Sequence, residues 1–262
     1  MRFAVKILQN KESIAKIMLV LYFFMAVLTV YLVCYKFELI IRFIHIFWIF
    51  PFLYTLYFSL ITNGLKKTVI FFCLVFLATL LYECFALSTG LFGEYIYTST
   101  FLGYKLFDKV PFIIPFCWII IMYPSMQIAQ SLLGTKTNNI GDKLQVSCLA
   151  GLFITAWDIA MDPIMVLKDA WKWLHSGAFF GIPLQNYIGW WLISFITIMI
   201  FQLTVNSNNN LKSDKMTVYA VFPYIIITIS TIIIDYLLNL KGESLAGFFA
   251  VMPCIIIYTL RL

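Results

Sequence analysis

Long apolar runs separated by short polar segments dominate the hydrophobic pattern of this chain. A helix needs roughly 20 consecutive apolar residues to cross a bilayer core about 30 Å thick. Such runs lie near residues 14–34, 43–62, 68–89, 112–133, 144–163, 188–205, 217–238 and 244–260. The pattern predicts an all-α, polytopic transmembrane helical bundle of about eight spans. Seven is the alternative, because the last run is short and the second begins close to Arg42 and His45.

The composition explains why the pattern describes a membrane protein. Hydrophobic residues make up 63% of the chain, charged residues 11%, and the mean hydropathy is +0.95. A soluble domain carries about 25% charged residues, because water must wet its surface. A soluble domain, a disordered chain and a basic nucleic-acid binder are therefore excluded, and membrane lipid is the expected surrounding. Without a linker or a change of composition, residues 1–262 are expected to form a single integral membrane domain.

The cysteines and histidines offer little metal or redox chemistry. All six cysteines lie in or at the end of apolar runs and none forms a CxxC pair, so we predict small buried hydrophobic side chains. The chain has only two histidines, which leaves a zinc or haem site almost without ligands. We expect no cofactor.

The distribution of basic residues favours one orientation of the chain in the membrane. The basic start from Arg2 to Lys6 leads into the run Ile17–Val33, which is long enough to be a retained span rather than a cleaved signal. With eight spans, 11 Lys and Arg residues fall on the amino-terminal side and 7 on the other. The positive-inside rule then favours a cytoplasmic N-terminus in the cell membrane.

Four carboxylates lie within or at the ends of the apolar runs: Glu83, Asp158, Asp162 and Asp235. A charge at bilayer depth costs at least about 2.5–3.5 kcal/mol, so such groups are usually functional or paired. The alternative is a hydrogen bond between helices or a side chain that reaches the interface from a helix end, and for Asp235 we favour this alternative.

Topology places these acids together. Spans three, five and seven carry them near their ends, and odd-numbered spans all end on one face of the membrane, so all four acids fall in one leaflet. Two connections rich in Gly, Pro and aromatic residues, 90–111 and 164–187, open on the same face. We expect the functional site beside these two loops.

Asp158 and Asp162 are one helical turn apart and share a face. Two ionised carboxylates would repel each other in a low-dielectric setting, so at least one is expected to hold its proton near neutrality. Pro163 disfavours helical geometry at Asp162 and predicts a helix end or a kink there. A protonated acid beside an apolar cavity can donate its proton to a substrate.

Aromatic residues cluster around the acids. They could form the interfacial belt of a membrane protein, or their ring faces could line an apolar site and stabilise a cation. The cluster consists of Tyr82, Trp118, Trp157, Trp171, Trp173, Trp190 and Trp191. Asn186 adds a polar group on the same face, and the glycines of 177–183 predict a tight backbone fold packed close to its neighbours.

At these residues the sequence resembles the membrane-integral carotenoid hydratases, a branch of the carotenoid biosynthesis membrane proteins. Three blocks carry the resemblance: Glu83 with 88–98, 102–106 and 110–118; then 157–163; and then 171–173, 177–183 and 186–190. Order and spacing fit across roughly 83–191, and the outer spans match only as hydrophobic segments. Leu91 stands where relatives often carry proline, which weakens the match in that loop without affecting a carboxylate.

The resemblance implies addition of water to the terminal 1,2 double bond of an acyclic carotenoid, with no cofactor. The substrate would be similar to lycopene or bisanhydrobacterioruberin and would reach the site from the bilayer. Asp158 or Asp162 would donate a proton to the alkene, and Glu83 with the remaining Asp would position water. Side chains expected to bind the substrate are Glu94, Tyr97, Trp118, Trp157, Asn186 and Trp190.

Two other functions remain open from the residues alone. The spacing Asp158-x-x-x-Asp162 also suits an intramembrane prenyltransferase that holds magnesium–diphosphate, although a second acidic motif is missing. Intramembrane acids also serve proton-coupled transporters, although no internal repeat of the 83–118 or 157–191 blocks is visible. A non-catalytic partner of other pigment enzymes is a further alternative.

Overall fold

The computed structural model describes residues 11–98, 102–134, 139–205 and 215–260, and within them the fold is a helical bundle with two small β-ribbons. The helices are α1 Lys11–Tyr35, α2 Phe37–Arg42, α3 Ile44–Thr89, α4 Ile114–Leu133, α5 Ile140–Leu167, α6 Leu184–Thr204, α7 Lys215–Leu237 and α8 Lys241–Thr259. The strands are β1 Tyr95–Tyr97, β2 Lys105–Leu106, β3 Val110–Pro111 and β4 Trp171–Trp173. The predicted all-α membrane bundle is confirmed. Several residues of the charge count, among them Arg2, Lys6 and Lys136, lie outside the described ranges.

Seven of the described helices are long and apolar enough to cross a membrane, and the longest of them is folded back on itself. Helix α3 is broken at Gly64, where φ is 76° and the left-handed region favours glycine. Ser59 and Thr68 share a hydroxyl hydrogen bond of 3.0 Å, although nine residues of continuous helix would separate them by roughly 13 Å. The ring centroids of Phe52 and Phe72 are 5.5 Å apart for the same reason. Each half of α3 is thus an apolar segment, which gives the eight that the sequence predicts.

Helix α4 lies at the centre of the bundle and α1 at its edge. Most of α4 is buried, including every residue from Trp118 to Ala129, whereas α1 exposes large apolar side chains such as Phe24 and Ile17. An outward apolar surface of this kind suits lipid rather than water, and buried tyrosines such as Tyr54 and Tyr224 fill the interior. The chain is therefore a multi-pass membrane protein.

Two local predictions differ from the structure. Helix α5 continues through Pro163 to Leu167, so the proline does not end it at Asp162. The packing of α5 against its neighbours outweighs the missing amide donor. The described cysteines are free, but none is fully buried, and Cys73 is exposed, because their helix faces turn outward or toward a cavity. The side chain of Cys254 lies outside the described part.

Candidate active site

The two aromatic loops, 90–111 and 164–187, contact each other, which agrees with their predicted position on one face of the membrane. Strand β1, in the first loop, pairs antiparallel with β4, in the second, so that Tyr95 lies opposite Trp173 and Tyr97 opposite Trp171. Beyond the ribbon, the Leu174 amide donates to the Glu94 carbonyl at 2.8 Å. The ribbon lies next to the ends of α3 and α5 and brings four aromatic rings toward the acids that those helices carry.

A tight turn then positions the start of α6. The Gly177 amide donates to the Gly181 carbonyl at 2.8 Å, and a Cβ on Gly177 would lie 2.1 Å from the carbonyl oxygen of Ile182. Only glycine fits at this approach, which confirms the close packing expected of 177–183. Pro183 follows as the N-cap of α6 and leads into Asn186 in the first turn, whose side chain is buried.

Glu83, in the last part of α3, is buried and accepts hydrogen bonds from three donors. Its Oε2 accepts from the hydroxyls of Tyr95 at 2.5 Å and Tyr97 at 2.9 Å, and its Oε1 accepts from the Trp118 indole at 3.2 Å. Burial raises the pKa of both tyrosines well above the ordinary value, and the neighbouring Glu83 adds to the effect. Both hydroxyls therefore stay protonated as donors, and three donors around one carboxyl group suit its charged form.

Asp158 and Asp162 on α5 are joined by Asn186. The Asn186 amide nitrogen donates to Oδ2 of both acids at 2.9 Å, and the Trp171 indole donates to Oδ1 of Asp162 at 2.6 Å. Both carboxyl groups are fully buried or nearly so. Asp158 Oδ1 has no hydrogen-bond partner among the described residues, which leaves it free to carry a proton.

Two of these acids line a cavity of about 70 Å³ with aromatic walls, which we call the acid cavity. Glu83, Asp162 and Asn186 line it, together with rings from α3, α4, α5, α6 and the ribbon. The rings of Trp118 and Trp190 are 4.0 Å apart, and Trp157 packs beside Trp190 at 6.1 Å. The faces of such rings attract positive charge, so this acid cavity combines proton donors and acceptors with a surface that stabilises a cation.

The structure brings most of the predicted site residues to this cavity. Those that line it are Glu83, Tyr97, Trp118, Trp157, Asp162, Asn186 and Trp190. Asp158 lies beside it and reaches Asp162 through Asn186. Glu94 lies apart, because its side chain is largely exposed and pairs with His175 at 3.3 Å beside another cavity. The roles of all these residues stay predictions.

Several lining residues were not singled out from the sequence. Tyr95 could have been, since it is two residues from Tyr97 in a strand and therefore on the same face. Trp48 gave no signal, because it reaches the cavity only through the fold-back of α3. Trp191 belongs elsewhere: its ring stacks on Phe195, and its indole donates to the Cys148 carbonyl.

Asp235 is buried on α7 but does not line the acid cavity. Neither of its carboxyl oxygens has a hydrogen-bond partner among the described residues. A buried polar group without a partner costs about 1–3 kcal/mol. Of the two alternatives expected from the sequence, a hydrogen bond between helices is not found among the described residues, and a side chain that reaches the interface does not agree with the buried position of Asp235.

We expect Asp235→Leu to leave any activity of the acid cavity unchanged and to keep or raise the thermal unfolding temperature in detergent. The substitution removes a buried carboxyl group without removing a hydrogen bond, so up to about 1–3 kcal/mol of burial cost is relieved. Activity should be compared at equal amounts of folded protein. Loss of activity in a variant that remains folded would contradict this prediction and place Asp235 in the machinery of the site.

Comparison with known proteins adds independent information. A family model described as "Carotenoid biosynthesis protein" matches residues 41–256, most of the chain. The bisanhydrobacterioruberin hydratase of Haloarcula japonica is 29% identical over 110 residues, which are 42% of this chain and 36% of that protein. The matched part therefore spans little more than a third of the relative's length. No solved structure matches the chain.

Proposed function

The chain belongs to the carotenoid biosynthesis protein family, and on this premise we propose that it is a membrane hydratase. The proposed reaction adds water across the terminal 1,2 double bond of an acyclic carotenoid and needs no cofactor. The observation that carries the proposal is the aromatic acid cavity, which Glu83 and Asp162 both line, with Asp158 joined to Asp162 by Asn186. The name of the matched relative supports the same reaction type, a hydro-lyase.

Protonation of the alkene is assigned to the Asp158–Asp162 pair. The pair carries one proton, because two buried carboxylates held by the same Asn186 amide would otherwise repel each other. Asp162 lines the cavity and delivers the proton to C2 of the terminal double bond. Asp162 holds this proton between turnovers, and the buried Asp158, whose Oδ1 has no partner among the described residues, keeps it there by the repulsion that a second negative charge would meet.

Proton transfer to C2 leaves a tertiary cation at C1. The rings of Trp118, Trp157 and Trp190 line the space where this cation forms, and their faces stabilise positive charge. The carboxylate of Glu83 adds electrostatic attraction from a buried position, where charges act more strongly than in water.

Water completes the reaction by attacking the cation. Its oxygen bonds to C1 while the Glu83 carboxylate takes one of its protons, which yields a tertiary alcohol. Tyr95 and Tyr97 position this carboxylate through their hydrogen bonds. The cycle closes when the proton on Glu83 returns to the Asp pair through water, so that the net change is the addition of one water molecule.

The proposal extends to the substrate and to the position of the protein in the cell. The carotenoid, similar to lycopene or bisanhydrobacterioruberin, is dissolved in lipid and reaches the site from the bilayer, which the lipid-facing apolar surface of the bundle supports. We place the protein in the cell membrane with its N-terminus in the cytoplasm, on the excess of basic residues on that side.

Expression in cells that make lycopene or bisanhydrobacterioruberin tests this function. Carotenoids extracted from such cells are expected to gain the mass of one water, or of two where both ends react, when analysed by mass spectrometry. Extracts without any hydrated product would contradict the proposal. A prenylated product whose formation stops on adding a magnesium chelator, or substrate flux into proteoliposomes, would point to the prenyltransferase or the transporter.

A further inference from the structure

A second and larger cavity, of about 170 Å³, lies between α1, α2, α3, α5 and α7. We call it the apolar cavity, because hydrocarbon side chains such as Met25, Ala26, Val33 and Ile227 form most of its walls. Among the described lining residues, Lys168 carries the only full charge, and its ammonium group lies 4.7 Å above the Phe37 ring. These walls suit a hydrocarbon and lack the cluster of basic groups that a diphosphate requires.

The apolar cavity shares a wall with the acid cavity. Five residues line both spaces: Trp48, Leu102, Trp157, Met161 and Met165. The Trp157 indole is fixed by a hydrogen bond of 3.2 Å to the Thr231 hydroxyl, which itself donates to the Ile227 carbonyl. The two methionines are unbranched and adapt their shape easily, so the wall has both a rigid and a yielding part.

Neither cavity is large enough for a long substrate, so such a substrate would occupy both. The acid cavity, at about 70 Å³, holds only the reacting end of an extended isoprenoid. The rest of such a molecule needs an apolar space that continues from the acids, and the adjoining cavity offers one across the shared wall. Binding of this remote part contributes to the rate even though it touches no reacting atom.

We infer that the apolar cavity binds the part of the polyene chain next to the reacting end, while the terminal double bond reaches Asp162 and Glu83. This inference rests on the proposed function and adds where the acyclic hydrocarbon chain of that substrate lies: beside the acid cavity, across the wall that the two cavities share. The side chains on α1 and α7 select for the chain, and those of the acid cavity act on its end.

Filling the apolar cavity tests the inference. Ala26→Phe on α1 and Ser230→Phe on α7 place a ring in the cavity from opposite sides, and Ser230→Leu is a milder filling. Val27→Phe and Ile229→Phe are matched controls, since these neighbouring side chains are 52% and 38% exposed on the outside of the bundle. Each change is also made together with Asp162→Asn, so that bound carotenoid is not converted.

The measurement is the binding of lycopene to the protein in detergent. Binding is detected by the circular dichroism that an achiral polyene acquires in a chiral site. Both Phe fillings are expected to weaken binding by about tenfold or more, and Ser230→Leu by less, while the outer controls bind as the parent does. Hydration in the variants with intact Asp162 should fall in the same order. This result would show that the substrate binds in the apolar cavity and not only in the acid cavity.

Other outcomes overturn the inference in separable ways. Filled variants that bind and hydrate lycopene normally would remove the apolar cavity from the site and leave the hydratase function standing. Filled variants that lose bound phospholipid but keep lycopene would assign the cavity to a lipid acyl chain. A parent protein that neither binds nor hydrates any acyclic carotenoid would overturn both this inference and the proposed function.

Discussion

Glu83→Gln is expected to lower carotenoid hydration by about 10²–10⁴-fold while the protein remains folded. Glutamine has nearly the same shape, but it cannot take a proton from water and it brings no negative charge to the cation. The Trp118 indole can still donate to the amide oxygen, and the hydroxyls of Tyr95 and Tyr97 can turn to accept from the amide nitrogen. The measurement is the amount of hydrated carotenoid formed per folded protein in membranes.

Two further variants separate chemistry from packing at this position. Glu38→Gln makes the same change on an exposed side chain of α2 and should leave hydration unchanged. Glu83→Asp keeps the carboxylate but withdraws it from the cavity, so it should restore part of the activity that glutamine loses. Full activity of Glu83→Gln would show that Glu83 does not activate water, and the mechanism would need another base.

The helices could be predicted from the sequence because their cause is local. A bilayer requires long apolar runs, so each span leaves a signal in its own residues, and even the reversal within α3 is marked by the polar segment around Gly64. Of the helix end or kink predicted at Pro163, the helix end is wrong, because the helix continues to Leu167. Local preference disfavours that geometry, but the packing of a buried helix decides it, and packing is not visible in one segment.

The site could be predicted only in part, and the reason is physical. Carboxylates are costly in a membrane, so Glu83, Asp158 and Asp162 stand out in a chain with few charges. Tyrosine and tryptophan carry no such cost, and their abundance hides the ones that matter. Trp48 could be assigned only when the fold-back of α3 showed what it contacts, and the spacing of Tyr95 from Tyr97 became informative only once the β-ribbon showed that both lie in a strand.

Two polar residues predicted for the site, Glu94 and Asn186, have different surroundings in the structure. Glu94 belongs to the loop that forms β1, but its side chain turns outward to His175, because alternate residues of a strand face opposite ways. Asn186 is predicted from its polarity, its position on the face of the acids and the resemblance block 186–190, and the tight turn before α6 places its amide between two acids. A polar residue in a loop has many acceptable environments, whereas one at a buried helix start has few.

Asp162→Asn is expected to lower hydration by about 10²–10⁴-fold, since it removes the proton donor that lines the cavity. Asp158→Asn should cause a loss of similar size, because it removes the second negative charge that keeps the proton on Asp162, while Asn186 still donates to both side chains. If they act as a unit, the double variant loses little more than the worse single variant, as groups with one shared task are strongly non-additive. Losses that multiply would instead assign each acid a separate role.

The control for this pair lies on the same helix. Asp142→Asn alters a carboxylate in the first turn of α5, at the opposite end from the cavity, and should leave hydration unchanged. The asparagine variants keep the volume of each side chain, so the fold should survive, and thermal unfolding in detergent checks that it does. Full hydration by either single variant would contradict the shared-proton assignment. Because Asn186 donates to both acids, Asn186→Leu should distinguish acids that act as a unit from acids with separate roles. The variant leaves both carboxyl groups in place, and it would reduce hydration only if the way in which Asn186 holds them relative to each other matters.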